Sequence, residues 1–547
     1  MSKLLFKSNW FPFWVLTVTG CLLSAWLRYE NNWDLANYHY YNAWAFLNGR
    51  LNYDIVPASV NTFFNPLSEL PFYFLIEYFN DYPAVVYGVQ GIWFGLLLFV
   101  FYKICLLFFD CETWAGRLGI AAAILAGASG YALWFQIGST TNEVPLALAV
   151  LAVFYLLLRE LEKTQQRLFL FLGCGLLLGA ALGLKPTAVV YCLSAGMTLI
   201  IFYRRLQKPL PMIVLFALGG LLGYLAVNGW WMWKLWELYG NPFFPFLNGV
   251  FHSPYFDDFN FRDNRYLPSL PEALWFPYLW WTTHGVSEEF FIDFRIPLVY
   301  TLGVIFLTAA LLRKKIGFYW REYPRWCFLV VFMLLSYSLW LMIFAIIRYL
   351  IVVEMLAAIV LVKAAIVYAP SKRNWAVIIY WTAVIFVFHL LLRAPLDSFD
   401  FGNRRRARRV IAVEKVKLPE NTLLKLYNFP SAALAAVWGK QVPLRALGYM
   451  QYNGNYMQGS DFAERGKFRE MRDAAEREHR GPAVIVYREN YNLIYDKKIR
   501  AALQTEGMFC RRLRTNLDRG LHICVPEELK DKILQPRRRG KWHKKPQ

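Results

Sequence analysis

Eleven apolar blocks, each roughly 17–25 residues long, constrain this chain more than any other feature of its sequence. They lie near 11–27, 84–109, 118–137, 143–158, 168–184, 188–203, 210–233, 296–312, 326–347, 350–368 and 375–392. A helix of that length satisfies its own backbone hydrogen bonds inside a bilayer, where no water can do so. The expected fold is therefore an α-helical polytopic membrane protein with about eleven transmembrane helices. A chain that is 57% hydrophobic and only 18% charged is not disordered. The blockwise placement of its apolar residues also argues against a soluble enzyme.

Charge orders the loops. Arg117, then Arg159, Lys163 and Arg167, then Arg204, Arg205 and Lys208 fall in alternate connections. So do Arg313, Lys314, Lys315, Arg321 and Arg325, and then Lys372 and Arg373. The positive-inside rule puts these with Lys3 and Lys7 on the cytoplasmic side. The first block follows two lysines as a signal peptide does, but no A-x-A site follows it. Val18-Thr19-Gly20-Cys21 fits a lipoprotein box, yet the sequence after Cys21 stays apolar, so an uncleaved helix is expected. The opposite side receives long loops at 28–83 and 234–295. It also receives very short ones around Thr140-Thr141-Asn142, Lys185-Pro186-Thr187 and Arg348-Tyr349. The absence of any N-x-S/T sequon favours a bacterial source, and hence the bacterial inner membrane.

After residue 393 the chain turns soluble and basic, with 32 Lys+Arg against 17 Asp+Glu, or +15 of the whole chain's +21. Residues 394–535 read as a small α/β-like domain. Within it 483–487 reads as a buried strand and 461–479 as a charged helix. Residues 536–547, PRRRGKWHKKPQ, read as a disordered basic tail. No nucleic-acid motif accompanies the charge, so membrane lipids or anionic glycan are the expected partners and nucleic acid is not. Eleven spans put this domain outside. Arg404, Arg405, Arg406, Arg408 and Arg409 beside the last span argue the other way. Cys510 and Cys524, the two of eight cysteines that lie in the tail, favour outside. A bridge between them persists only in an oxidising compartment.

Polar residues gather on the outer side. In the first loop, residues 34–47 read as one helix with Asp34 in its first turn, where the helix dipole suits a carboxylate. Asp34, Tyr38 and Tyr41 then share a face at i, i+4 and i+7. Pro66 opens a second amphipathic helix that runs to Phe79, with Glu69 near its start. The aromatics of this loop fit two juxtamembrane helices at the head-group level. Glu143 opens a span after Ser-Thr-Thr-Asn. Lys185 and Arg348 each interrupt an apolar run where the chain barely leaves the membrane. That is where a lipid phosphate sits, and Arg grips a phosphate bidentately. The second loop adds His252, Asp257, Asp258, Arg262, Asp263 and Arg265. Glu354, Lys363 and His389 lie within spans, near their ends or without an evident partner, and are left out of the site.

The segments WDLANYHYYNAWAFLNGR, FNPLSELPFYFLI, GLKPTA and YGNPFFPFLNGVF, over residues 1–393, resemble a bacterial branch of the GT-C superfamily of membrane glycosyltransferases. The resemblance implies a transmembrane catalytic domain over 1–393 and a polyprenyl-phosphate sugar donor. It also implies a glycan or lipid-linked acceptor, and inverting transfer to an acceptor hydroxyl at the outer face. Asp34 is then the general base, with Glu143 as its catalytic partner. Lys185 and Arg348 stabilise the departing phosphate. Tyr38, His39, Glu69, Arg262 and Tyr349 complete the expected substrate-binding set. Many members carry a paired acid where this chain has Asp34 alone between Trp33 and Leu35. A lone carboxylate is a poor divalent site, so no cofactor or metal is expected. The competing class is a transporter or a flippase for lipid-linked glycans, which needs paired charges and broken helices near the midplane.

Overall fold

The computed structural model describes residues 10–27, 33–279, 286, 293–370, 375–398, 408–427, 431–449, 464, 466–489 and 507–534. The basic tail 536–547, Lys3, Lys7, Lys372, Arg373 and Arg404 to Arg406 lie outside the described residues. The chain divides into two compact units, 1–29 with 82–231 and 263–408, and 30–81 with 232–262 and 409–547.

The first unit is helical, with an apolar helix at each of the eleven expected places. Among the described residues, six are long and apolar enough to cross a membrane: Trp10–Leu27, Pro83–Phe108, Pro209–Tyr239, Arg295–Leu312, Pro324–Ile343 and Ile347–Val367. Trp114–Ala128, Leu168–Leu184, Pro186–Ile201 and Val377–Leu392 are shorter. The expected span 118–137 is instead broken at Ser129-Gly130 and resumes as the short helix Tyr131–Trp134. Ile351–Val367 is the central helix, since every residue from Ile351 to Ile359 is buried. Phe94, Phe101, Phe154, Phe171, Phe328 and Phe332 belong to the same apolar core. Arg295–Leu312 is the opposite case, with Val304, Ile305, Phe306 and Leu307 all exposed.

Without a hydrophobic drive between helices in lipid, close packing needs small residues. Gly175, Gly179 and Gly183 repeat at that spacing on Leu168–Leu184, and Gly219 and Gly223 do so on Pro209–Tyr239. A Cβ on Gly179 would lie 1.9 Å from the Gly220 carbonyl oxygen, and one on Gly223 would lie 2.2 Å from that of Leu176. Gly179→Ala should therefore force these helices apart and destabilise the protein by about 1–3 kcal/mol, the usual cost of overpacking. Gly173→Ala on the same helix meets nothing within 4 Å. It should be neutral or mildly stabilising, because Ala favours helix. Thermal unfolding of the two variants in one detergent checks this; equal melting temperatures would mean that the crossing is loose.

The second unit joins the first outer loop to the tail domain. Its sheet has the order β2-β1-β3-β5-β4. The strands are β1 (Thr422–Tyr427), β2 (Leu444–Tyr449), β3 (Ala483–Arg488), β4 (Met508–Arg512) and β5 (Leu521–Pro526). β2, β1 and β3 run parallel, while β5 and β4 complete the sheet antiparallel. The strand expected at 483–487 is thus the central one. The charged helix is Gly466–Glu478, and the first residues expected for it, 461–463, lie outside the described residues. Cys510 and Cys524 are direct partners on β4 and β5 and form a disulfide.

The expected linear division at residue 393 does not describe this unit, for a reason visible at the sheet edge. β2 is an outer strand, and an open edge invites pairing. Ile55 of the first loop bridges to Leu447, with its N–H on the Ala446 carbonyl at 2.9 Å. Asp54 accepts from the Ala446 N–H at 2.8 Å, from Arg50 and from the Tyr41 hydroxyl. Burial pushes the Asp54 carboxyl up, against the pull of the Arg50 guanidinium. Tyr40, Glu77 and Lys440 form a second tie between loop and domain. Of the aromatics expected at the head-group level, Tyr38, Tyr40, Tyr41 and Trp44 are buried within this unit and Phe46 is exposed.

Candidate functional site

Three breaks between helices in the first unit bring their polar residues to one place. Asn142, in a left-handed conformation, turns the chain so that Glu143 opens the helix Glu143–Glu160. Pro186 stops Leu168–Leu184, leaving Lys185 extended at its end. Arg348 lies in the 3-10 turn Ile347–Leu350, ahead of the central helix. Lys185 Nζ donates to Glu143 Oε1 at 2.6 Å and also to the Thr141 carbonyl. Arg348 Nε is 3.8 Å from the same carboxylate oxygen. The Tyr349 ring lies 6.0 Å from the Lys185 ammonium and 5.2 Å from the Arg348 guanidinium. Its carbonyl accepts from the Tyr191 hydroxyl at 2.5 Å.

Among the described residues, two positive groups share one carboxylate here. The Glu143 side chain is 3% exposed, and its Oε2 is buried without a hydrogen-bond partner. The cations keep an open side, at 17% exposure for Lys185 and 35% for Arg348. Such an arrangement can take up an anion whose oxygens bridge both cations.

A second polar cluster in this unit corrects the reading of Glu354 as a residue without partners. Its carboxylate accepts the backbone N–H groups of Ala132 and Leu133 at 3.1 and 3.2 Å. A Cβ on Gly130 would lie 2.0 Å from Glu354 Oε2, so the approach needs glycine there. Arg295, fully buried, pairs with Asp293 and donates to Ser129 Oγ at 2.6 Å and to the Ala126 and Leu391 carbonyls at 3.0 Å. The Asp293–Arg295 pair was not legible in the sequence, where it reads as the polar end of a long loop. Lys363 is likewise engaged, donating to the Phe108 carbonyl at 3.2 Å.

In the second unit, helix does run through 33–47, but with a change of pitch. Leu35–His39 is a π turn and Tyr40–Leu47 is regular α-helix. A π turn closes i→i+5 bonds and so inserts one residue. Residues beyond it rotate by about 100° relative to Asp34. The expected shared face of Asp34, Tyr38 and Tyr41 therefore fails. Tyr41 turns to Asp54 at 3.0 Å. The edge of the Tyr38 ring meets Phe64, with centroids 5.4 Å apart. Asp34 is buried, and its side chain makes no capping hydrogen bond to the π turn.

The second amphipathic helix is also split. Pro66–Ser68 is a 3-10 turn capped by Asn65, and Leu70–Phe79 follows. Glu69 sits at the joint. It accepts from the Ser68 hydroxyl at 2.8 Å and lies 3.8 Å from His39 Nδ1. In the second long loop, buried Asn241 and Asn248 fasten the backbone between 241 and 257. The expected polar cluster there separates. His252 pairs with Asp258 at 2.5 Å on an exposed surface. Asp263 pairs with Arg265 at 2.9 Å within the first unit, and Arg262 is exposed. Among the described residues, no group of three His, Cys, Asp or Glu side chains gathers as a metal site.

Residues 61–233 match the family model described as dolichyl-phosphate-mannose-protein mannosyltransferase. No curated protein sequence matches the chain. Among solved structures, the chain is similar to ArnT from Cupriavidus metallidurans bound to undecaprenyl phosphate. The identity is 12% and the TM-score 0.50, over 94% of this chain and 97% of that one. ArnT from Cupriavidus metallidurans in the apo state gives 14% identity and a TM-score of 0.52, over 94% and 98% of the two chains. At these identities the likeness is one of fold.

Proposed function

We propose that this chain is a membrane glycosyltransferase of the GT-C superfamily and moves one sugar from a polyprenyl-phosphate carrier to a hydroxyl of a glycan or lipid-linked acceptor. The observation that carries this reading is the convergence of Lys185 and Arg348 on Glu143 from three separate helix breaks. The acceptor oxygen bonds to the anomeric carbon as the bond from that carbon to the carrier phosphate breaks, with inversion. The proton goes to Asp34 and the electron pair to the phosphate. Lys185 and Arg348 hold the charge that develops there. Glu143 holds both cations until the phosphate arrives, and Tyr349 orients them. Tyr38, His39, Glu69 and Arg262 contact acceptor or sugar.

In this reading all eleven apolar helices span the inner membrane of a bacterium. The N-terminus is cytoplasmic, and the site and the sheet domain face the periplasm, the compartment in which the Cys510–Cys524 bridge persists. A C-terminal phosphatase fusion that is active only in the cytoplasm would reverse that orientation.

The test uses purified protein with undecaprenyl-phosphate hexoses and pentoses and a panel of acceptor glycans, reading release of undecaprenyl phosphate. At least one pair should turn over, at a rate unchanged by chelator. Carrier movement across a vesicle bilayer with no transfer to any acceptor would favour the flippase instead.

A further inference from the structure

Folded proteins rarely bury polar atoms without partners, and each such atom in a native structure calls for a reason. Three of them lie on the single helical stretch that carries Asp34. Both amide atoms of Asn37, which is 0% exposed, lack a hydrogen-bond partner, and so does Asn42 Oδ1. Asn42 Nδ2 is engaged, donating to the Asn61 carbonyl at 2.8 Å. Asn37 sits in the middle of the π turn, and Asn42 lies beyond it in the regular helix.

The fold gives no structural return for the Asn37 amide. An apolar residue of similar volume would fill the place of Asn37 without leaving an unmet donor and acceptor. Nor does the amide serve its own helix, because neither of its polar atoms bonds to a backbone group. The segment that supplies Asn61 is strained: Val56 and Ser59 hold φ values of 50° and 58°, although neither is glycine. A β-branched residue in that region is costly and persists only where its surroundings enforce it.

We infer that Asn37 and Asn42 form a subsite for sugar hydroxyls, and that 56–63 yields to admit the sugar. This rests on the glycosyl-transfer reading above, which assigns neither residue. The chemistry matches. A side-chain amide presents N–H donors and a carbonyl acceptor, and a hydroxyl both donates and accepts. One hydroxyl can therefore satisfy both polar atoms of Asn37, and a neighbouring hydroxyl can donate to Asn42 Oδ1. The same chemistry can come from the transferred sugar or from the acceptor.

Asn37→Leu separates this role from a structural one. It removes the unmet groups and keeps the volume, so the ligand-free variant should melt at or above the wild-type temperature. Its kcat/KM should fall about 10–100-fold, the effect of losing one or two hydrogen bonds to a substrate. A raised KM for the acceptor alone assigns the subsite to the acceptor, and a raised KM for the donor alone assigns it to the transferred sugar. A clear drop in melting temperature would show that the amide is bonded within the fold, and unchanged kinetics would show that no substrate uses it; either overturns the subsite. Should Asn37→Leu not fold, Asn37→Ala decides, because wild-type kinetics in that smaller variant also overturn it.

A binding arm needs no turnover. Methyl hexosides and pentosides should raise the melting temperature of wild type and leave that of Asn37→Leu unmoved. If none shifts wild type, the subsite is wrong even where transfer is seen. If one shifts wild type alone while no donor is ever consumed, the subsite stands and the transfer reading fails.

Discussion

Asp34→Asn protein should fold, melt and bind donor as wild type does, and transfer sugar about 10²–10⁴-fold more slowly, the usual loss when a positioned general base is removed. Asn keeps the shape of Asp and can hydrogen-bond, but it takes up no proton at neutral pH. The competing role for Asp34 is a helix cap, since Asn and Asp cap about equally well. The structure weakens that role, because the Asp34 side chain makes no capping hydrogen bond to the π turn. It is also buried at the head of a π turn, a distortion found frequently at functional sites. Single-turnover transfer measured beside thermal unfolding checks the prediction. A well-folded Asp34→Asn protein with near wild-type turnover would return Asp34 to a structural role and move the base to Glu143 or Glu69.

The positions of the helices were legible because a bilayer leaves apolar length as the dominant signal. The breaks at Asn142, Lys185 and Arg348 were legible for the same reason, since each interrupts an apolar run with a polar or charged residue. What hid was whatever depended on partners distant in sequence. Glu354 read as isolated because its donors are backbone N–H groups, those of Ala132 and Leu133. The first loop read as a membrane-surface belt because its aromatics are amphipathic. Tyr41 is instead buried against Asp54, which with Ile55 ties the loop to the edge of β2 in a way that no local pattern announces. The face shared by Asp34, Tyr38 and Tyr41 failed at one inserted residue. A π turn is a local change of pitch, and a count of i, i+4, i+7 assumes constant pitch. Asn37 and Asn42 went unnoticed because an amide in a helix carries no sequence mark of being unpaired.

Lys185→Met should weaken donor binding about 10–100-fold, the range expected when one charge-assisted hydrogen bond is lost. The single variant is ambiguous by itself. Glu143 is 3% exposed and takes Lys185 as its nearer partner at 2.6 Å, so removing that cation leaves a buried carboxylate with Arg348 Nε 3.8 Å away. Breaking such a pair costs about 3–5 kcal/mol of stability, and a partly unfolded protein also binds donor poorly. The double variant Lys185→Met with Glu143→Gln separates the two effects. It removes both charges, so stability should recover toward wild type, because a neutral pair tolerates burial better than a lone charge. Donor binding should not recover, because the phosphate still lacks its cation and Arg348 alone remains. Arg348→Met should show the loss of binding with a smaller stability penalty, since its side chain is 35% exposed. Thermal shifts induced by undecaprenyl phosphate read binding, and melting temperatures without it read stability. If the double variant regains donor binding along with its stability, Lys185 serves only to neutralise Glu143. The phosphate would then have to be held elsewhere, and the convergence of three helix breaks would be a device of folding rather than of catalysis.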